Sequence, residues 1–411
     1  MHNEPSGDYY DYTLTMKPER PWLLPYHQSL VYKTMNANKD AGGRLEAVHL
    51  TFAQTLELIE RIHHMTLGIP QVVYLTGWQY NGHDSKYPAW EEVNAALKRD
   101  EDATALDSLR RLIREARRRF DCRVSLHLNM MDAYPESPYW DEYLAKDIVA
   151  KDADGNPIPT REWSGMMAYA LSYTQEWKLG LAQRRIDRLL EMIPELVDSG
   201  TIHIDALLGA RRADPKGPIS PYLGFSKDEE ARTMRKIYRT WRDRGIDVTS
   251  EWAYGFRDDR FVGLQPWCWH QEDKVADLPD ALYCSTKWVG SDMWFIEDRM
   301  NPPHAREKFY LEVLPWYVGN HPAAAIAPRM VDGTDLCMPA PWCPEPTLIA
   351  YSQSGYAEKG WELPPDWKGA RAVALDRIEW SGCVPLGKAD VRDGRLVLKL
   401  GAGEAVRIRR G

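Results

Sequence analysis

The stretch YTQEWKLGLAQRRIDRLLEMIPELVDSGTIHIDALLG, residues 173–209, sets a helix pattern directly before a strand pattern. Apolar residues recur at helical spacing through residue 197, and TIHIDALLG (201–209) then gives a short apolar run of strand length. Asp205 interrupts that run near its end, with His203 two positions earlier. A carboxylate at the tail of a buried strand is costly unless it has a partner or a task. This one unit therefore raises the question of the fold and the question of function together.

The same order occurs three more times. LTFAQTLELIERIHHMT (50–66) precedes QVVYLTGW (71–78). DATALDSLRRLIREARRRFD (102–121), with an Asp near its start, precedes RVSLHLNMMDAY (123–134). SKDEEARTMRKIYRTWRDRG (226–245), with a Ser cap and a terminal Gly, precedes IDVTSEWAYG (246–255). Helices alternating with short apolar runs are the mark of βαβ units and a parallel sheet. No GxGxxG or GxxxxGK[ST] loop follows any of these strands, which disfavours a doubly wound nucleotide-binding sheet. The predicted fold is α/β, a (β/α)8 TIM-like barrel with a small C-terminal antiparallel β domain. Residues 281–286, part of 313–320 and 323–331 are the candidates for later strands. From residue 345 the texture changes to Gly/Pro turns and period-2 alternation, as in GRLVLKLGAGEAVRIRRG (394–411). The expected division is an N-terminal extension 1–44, a catalytic barrel 45–344 and a C-terminal β domain 345–411.

Composition narrows the function. Hydrophobic residues make up 44% of the 411-residue chain and charged residues 27%, the balance of a globular protein. A net charge of -8 and the lack of a basic run interleaved with aromatics argue against nucleic acid. RRLIREARRRF (110–120) reads as the solvated face of an amphipathic helix. Six scattered cysteines without CxxC spacing read as free buried thiols. The N-terminal segment has no basic start, apolar run and cleavage site, and no 18-residue apolar stretch follows, so no membrane partner is expected and the cytoplasm is the expected compartment, with secretion the alternative if a leader preceded this chain. Seventeen Trp against seven Phe is the anomaly: an indole joins a flat apolar face to an N–H donor, which suits stacking on sugar rings.

In a parallel barrel, chemistry sits at the C-terminal ends of the strands. There the sequence places Trp78, Tyr80, His83 and Asp84; His127, Asn129 and Asp132; His203 and Asp205; and Glu251 and Trp252. Asp205 and Glu251 stand apart because each directly follows its strand residues, on strands that are consecutive. Neighbouring strands lie roughly 5 Å apart. Two carboxylates on their ends can therefore approach the ~5–5.5 Å separation of a retaining glycosidase. Apolar walls and a negative neighbour would raise Glu251 toward the protonated form an acid needs.

Four segments in this order, GWQYNGHDS (77–85), LHLNMMDAYPES (126–137), IHIDALLG (202–209) and TSEWAYG (249–255), resemble the retaining α-N-acetylgalactosaminidases of glycoside hydrolase families 101 and 129. The resemblance implies Asp205 as nucleophile and Glu251 as acid/base. It implies Trp78, His83, Asp84, His127, Asn129 and Trp252 as contacts in the sugar subsite; strand periodicity puts His203 on the same side as Asp205, where it orients the carboxylate or touches the sugar. The implied substrate is an α-linked N-acetylgalactosamine glycoside or glycopeptide of the O-glycan type, and no cofactor or metal is implied. The chain is much shorter than the multidomain family-101 enzymes, so small glycosides fit better than large mucins. Trp163, Trp269 and Asp292 fall where later barrel loops are expected and are further candidates to shape the subsite. DADGN (152–156) resembles half of a calcium loop but lacks the Glu at the twelfth position and reads as a turn. Three rivals remain: a retaining α-glycosidase for another sugar such as an α-galactoside, a metal-dependent hydrolase in which His127, His203, Asp205 and His270 converge on a divalent ion, and a non-catalytic sugar-binding protein.

Overall fold

The computed structural model describes residues 23–163, 165–205, 218–250, 302–320, 330–367 and 369–410. Five strands form a parallel sheet whose spatial order follows the chain: β1 (Leu30–Met35), β2 (Gln71–Thr76), β3 (Arg123–Asn129), β4 (Thr201–Asp205) and β5 (Asp247–Ser250). Between them run α1 (Phe52–Met65), α2 (Ala105–Phe120), α3 (Leu181–Met192) and α4 (Lys227–Asp243). Each of α1, α2 and α4 opens on a capping box, with Thr51, Thr104 and Ser226 paired to Gln54, Asp107 and Glu229. The helix read over 173–197 is broken into Tyr173–Lys178, α3 and Glu195–Ser199, with the left-handed Gly180 at the first break and Pro194 at the second.

Strand alternation divides the sheet into two buried faces. Val73, Leu75, Val124, Leu126, Leu128, Ile202, Ile204 and Val248 join the main core with Leu109, Leu112 and Ile113 of α2, Ile186 and Leu189 of α3, and Ile237 and Trp241 of α4. Each such side chain contributes about 1.5–3 kcal/mol by leaving water. The intervening positions are Tyr74, Ser125, His127, Thr201, His203, Asp247 and Thr249, all buried and polar or phenolic. Several are joined by hydrogen bonds: the Tyr74 hydroxyl and that of Tyr26 lie 2.7 Å from Thr201 Oγ1, and Ser125 Oγ donates to the Thr201 carbonyl. A sheet with one apolar and one polar buried face can carry chemistry on the second without breaking the first.

Two readings of the sequence need correction. The segment 1–44 is not simply an extension, because its residues 30–35 are β1 and pair in parallel with β2 along their whole length. LVYKTM hides its strand character because Lys33 lies in register with Tyr74 on the polar face. Residues 313–320 are not a strand: a π-turn at Phe309–Val313 continues into a helix, Leu314–Asn320. The buried residues 309, 310, 313, 314, 317 and 318 follow helical period. The strand candidate 281–286 and most of 323–331 lie outside the described residues. Of the six cysteines, Cys122, Cys337, Cys343 and Cys383 are free thiols, and Cys268 and Cys284 lie outside the described residues.

Beyond the parallel sheet, an eight-stranded antiparallel sheet is built from residues 331–410. It begins at Val331, ahead of residue 345. It meets α1 directly: Trp342 Nε1 donates to the Thr66 carbonyl at 2.9 Å, Tyr310 of the preceding helix donates to the Met65 carbonyl at 2.7 Å, and His64 Nδ1 lies 3.2 Å from the Trp380 carbonyl. The basic helix α2 behaves as expected, with Leu109, Leu112, Ile113, Ala116 and Phe120 buried and Arg110 and Arg114 paired with Glu195. No described helix is long and apolar enough to cross a membrane.

Candidate active site

The register of the sheet aligns the polar face into rows. His127, His203 and Thr249 lie side by side on β3, β4 and β5, and Asn129 lies beside Asp205. The His127 and His203 rings stack at 5.3 Å, Tyr74 lies 5.2 Å from His203 on one side, and His83 lies 5.5 Å from His127 on the other. Nδ1 of His203 and Thr249 Oγ1 are 2.9 Å apart. Asp205 ends its strand with its side chain 19% exposed, and its Oδ2 lies 3.8 Å from Nε2 of His127. The carboxylate that closes TIHID is therefore the open end of a buried row of imidazoles.

The loop after β2 supplies the second wall. It leaves the sheet through Gly77, where φ is +76° and a Cβ would stand 1.9 Å from the Ala37 carbonyl, and it passes Gly82 at φ +118°, where a Cβ would meet Asn38 Cα at 2.7 Å. Only glycine allows this approach. The backbone amide of His83 then donates to the Ala37 carbonyl. Tyr80, Asp84 and Lys86 all hold left-handed φ. Such strain persists where surrounding structure fixes it and gathers at functional sites. Asp84 is buried, with Oδ1 3.4 Å from Nε2 of His83.

Two tyrosines complete the cluster. Tyr87 and Tyr134 are fully buried, and the Tyr134 amide donates to the Tyr87 carbonyl at 2.9 Å. Burial pushes both phenols well above their ordinary pKa, and the charges of Asp84, Asp132 and Asp205 add to the shift. Both hydroxyls thus stay protonated. Lys39 places its ammonium 4.9 Å from the centre of the Tyr134 ring and 2.8 Å from Met166 Sδ. Burial lowers its pKa, while Glu136, Asp84 and Asp40 hold it up. The arrangement gathers hydroxyl, carboxylate and imidazole groups around one partly exposed carboxylate.

The predicted residues divide accordingly. His83, Asp84, His127, His203 and Asp205 come together. Trp78 is fully buried, and its Nε1 donates to the His127 carbonyl at 3.0 Å, which ties the loop after β2 to β3. Asn129 is consumed locally, donating to Asp132 Oδ2 and accepting from the amides of Met131 and Asp132. Trp163 is exposed on the hairpin 159–170 under the guanidinium of Arg161. Glu251, Trp252, Trp269 and Asp292 lie outside the described residues, as does His270. The DADGN segment is a turn in which Asp152 Oδ1 accepts from the amides of Asp154 and Asn156. Among the described residues, the group able to present three metal-ligating atoms together is His83, His127 and Asp205. Tyr87, Lys39 and Glu136 were not foreseen. Glu136 stands in the same LHLNMMDAYPES segment as Tyr134, but Lys39 carries no motif at all.

A family model described as endo-alpha-N-acetylgalactosaminidase matches residues 45–274, more than half of the chain. The chain belongs to glycoside hydrolase family 101. The family match spans β2 to β5 and every clustered residue named above except Lys39. Among solved structures, an alpha-N-acetylgalactosaminidase from Bifidobacterium bifidum in complex with GalNAc aligns at 16% identity and a TM-score of 0.47, over 62% of this chain and 41% of that one. An alpha-amylase from Geobacillus thermoleovorans complexed with acarbose aligns at 13% identity and a TM-score of 0.46, over 94% and 99%. An alpha-galactosidase from Thermus thermophilus aligns at 14% identity and a TM-score of 0.39, over 69% and 56%. The family-101 chain thus spans about two fifths of the length of the Bifidobacterium enzyme it matches.

Proposed function

We propose that this family-101 chain is a retaining glycoside hydrolase that cleaves α-linked N-acetylgalactosamine from small O-glycan or glycopeptide substrates. The observation that carries the proposal is Asp205: a partly exposed carboxylate at a strand end, beside His127 and among buried Tyr, His and Asp groups. In the proposed double displacement Asp205 attacks the anomeric carbon while Glu251 protonates the leaving oxygen, giving a β-glycosyl ester. Glu251 then deprotonates water, which attacks the same carbon, releases Asp205 and regenerates the α anomer. Glu251 lies outside the described residues; its assignment rests on its following Ser250, the described end of β5, and on the family resemblance. His83, Asp84, His127 and His203, with the Tyr87 and Tyr134 hydroxyls, are proposed to line the sugar subsite. Trp252, Trp163, Trp269 and Asp292 are proposed to shape its rim. We further propose that the parallel sheet closes into a (β/α)8 barrel through residues 251–329, with the C-terminal sheet as a β domain packed against it.

The test is a panel of nitrophenyl α-glycosides of GalNAc, Gal, Glc and GlcNAc together with the core disaccharide glycoside, with the first-formed anomer followed by NMR. Release of α-GalNAc as the α anomer is expected. Inversion would overturn the mechanism, and preference for α-galactoside would replace the sugar assignment. Asp205→Asn should lower kcat/KM at least about 10³-fold, the scale on which losing one member of a catalytic set acts. Glu251→Ala should keep slow turnover of nitrophenyl substrates and recover with azide. Full activity after chelation is expected, whereas loss that only metal restores would favour the metal-dependent hydrolase.

A further inference from the structure

Two imidazoles and a carboxylate converge where β3, β4 and the loop after β2 meet. One donor atom from each of His83, His127 and Asp205 lies within 4.8 Å of the other two, and Nε2 of His127 is 3.8 Å from Oδ2 of Asp205. Donors about 2.0–2.2 Å from a tetrahedral ion stand ~3.3–3.5 Å apart. A small rotation of His83, whose side chain is 28% exposed, would close the difference. The other two donors are held in place. His127 is buried with its ring between those of His83 and His203, and Asp205 is fixed at the end of a paired strand. Asp84 Oδ1 lies 3.4 Å from Nε2 of His83, so with Nδ1 as the ligating nitrogen it supplies the carboxylate that commonly steadies a ligating imidazole. Two nitrogens and one oxygen match Zn²⁺ and its first-row neighbours. Mg²⁺ and Ca²⁺ ask for oxygen donors instead.

We propose that His83, His127 and Asp205 form a binding site for one divalent transition ion, with Zn²⁺ as the type, and that the bound ion excludes the sugar by engaging Asp205. The binding stands on the donor geometry alone; the competition rests on the glycosidase reading of Asp205. The ion makes no covalent step here. It is a reversible blocker, so chelation should leave turnover unchanged or raise it.

The full chain, stripped with a chelator, is titrated with Co²⁺, whose visible ligand-field bands report coordination by nitrogen and oxygen donors, and the cobalt is then displaced with Zn²⁺. Saturation at one ion per chain is expected. His83→Ala and His127→Ala should each weaken binding at least about 10-fold, the scale on which even outer-shell partners act. His64→Ala on α1, outside the cluster, should leave the titration unchanged. His83 is partly exposed, so its variant keeps the test decisive if His127→Ala does not fold. Absence of a saturable cobalt band, or an affinity unchanged in His83→Ala, overturns the site. In the second arm Zn²⁺ should raise the apparent KM for the nitrophenyl α-GalNAc glycoside without lowering kcat. An ion that binds through His83 and leaves KM unchanged overturns the competition. Binding through His83 in a chain that hydrolyses no α-glycoside sinks the glycosidase reading and leaves the site standing.

Discussion

At the scale of single residues, the polar face of the sheet includes groups whose partners are structural, and Asp247 is one of them. Its Oδ2 accepts from the amides of Leu23 and Leu24, yet burial outweighs those bonds and the Arg242 charge and raises its pKa to about 6. An ordinary Asp titrates near 3.9. Between that value and about 6 the folded chain binds more protons than the unfolded chain, so this group's contribution to stability falls as pH rises and is fully lost above about 6. Two pKa units correspond to about 3 kcal/mol as an upper bound. Asp247→Asn keeps an acceptor for both amides and removes the titration. Its Tm relative to the wild-type chain should climb between pH 4 and 6 and then stay level; parallel curves at all pH values would refute the assignment. Position along a strand explains what the sequence disclosed about the site. Asp205, His127 and His203 were legible because each interrupts an apolar run at a strand's end, where charge has no packing reason to be. The hydrogen bond from Trp78 to the His127 carbonyl was not legible, because an indole at a strand end has the same spelling whether it turns inward or outward. Lys39 was invisible because its partners, Tyr134, Met166 and Glu136, are about a hundred residues away in the chain.

At the scale of elements, the loop carrying His83 and Asp84 is held from behind by an ion pair. Arg185 of α3 and Glu176 of the helix before it are both buried and 2.8 Å apart, and the Tyr143 hydroxyl donates to Glu176 at 2.7 Å. Arg185 also donates to the Pro88 carbonyl and lies over the Trp90 ring at 4.3 Å, so it pins the loop to the helix layer. Arg185→Met leaves Glu176 charged and buried, which costs about 3–5 kcal/mol. The double variant Glu176→Gln with Arg185→Met removes that uncompensated charge and should regain part of the loss. Urea unfolding of the single and double variants checks this: equal stabilities would show that an uncompensated Glu176 charge is not the cause of the loss. The elements themselves were legible where apolar period and caps agreed, as at Ser226 and Thr104. They were illegible where one side of a strand is polar by design, as in LVYKTM, or where short apolar runs fit either period, as at 313–320.

At the scale of the whole molecule, one continuous hydrophobic core joins the parallel sheet, α1, the helix 302–320 and the antiparallel sheet. Trp342 is the seam. Its ring lies 4.9 Å from Tyr317 and 6.3 Å from Phe309, and its Nε1 holds the carbonyl at the end of α1. Tyr310 stacks on Tyr351 at 4.8 Å and bonds the same helix end, so the contact is made twice by independent side chains. A sheet tied in this way cannot unfold without exposing the apolar side of α1, and the two sheets should therefore melt as one unit. Trp342→Ala removes ring contacts and a hydrogen bond at once; a loss of about 2–4 kcal/mol is expected, on the lower side of a large-to-small change because the residue is half-buried. The decisive reading is the shape of the transition. Far-UV and near-UV circular dichroism of the variant should fall together at a lower temperature, whereas an early β-sheet transition that leaves the parallel sheet intact would show that the antiparallel sheet is a separate cooperative unit.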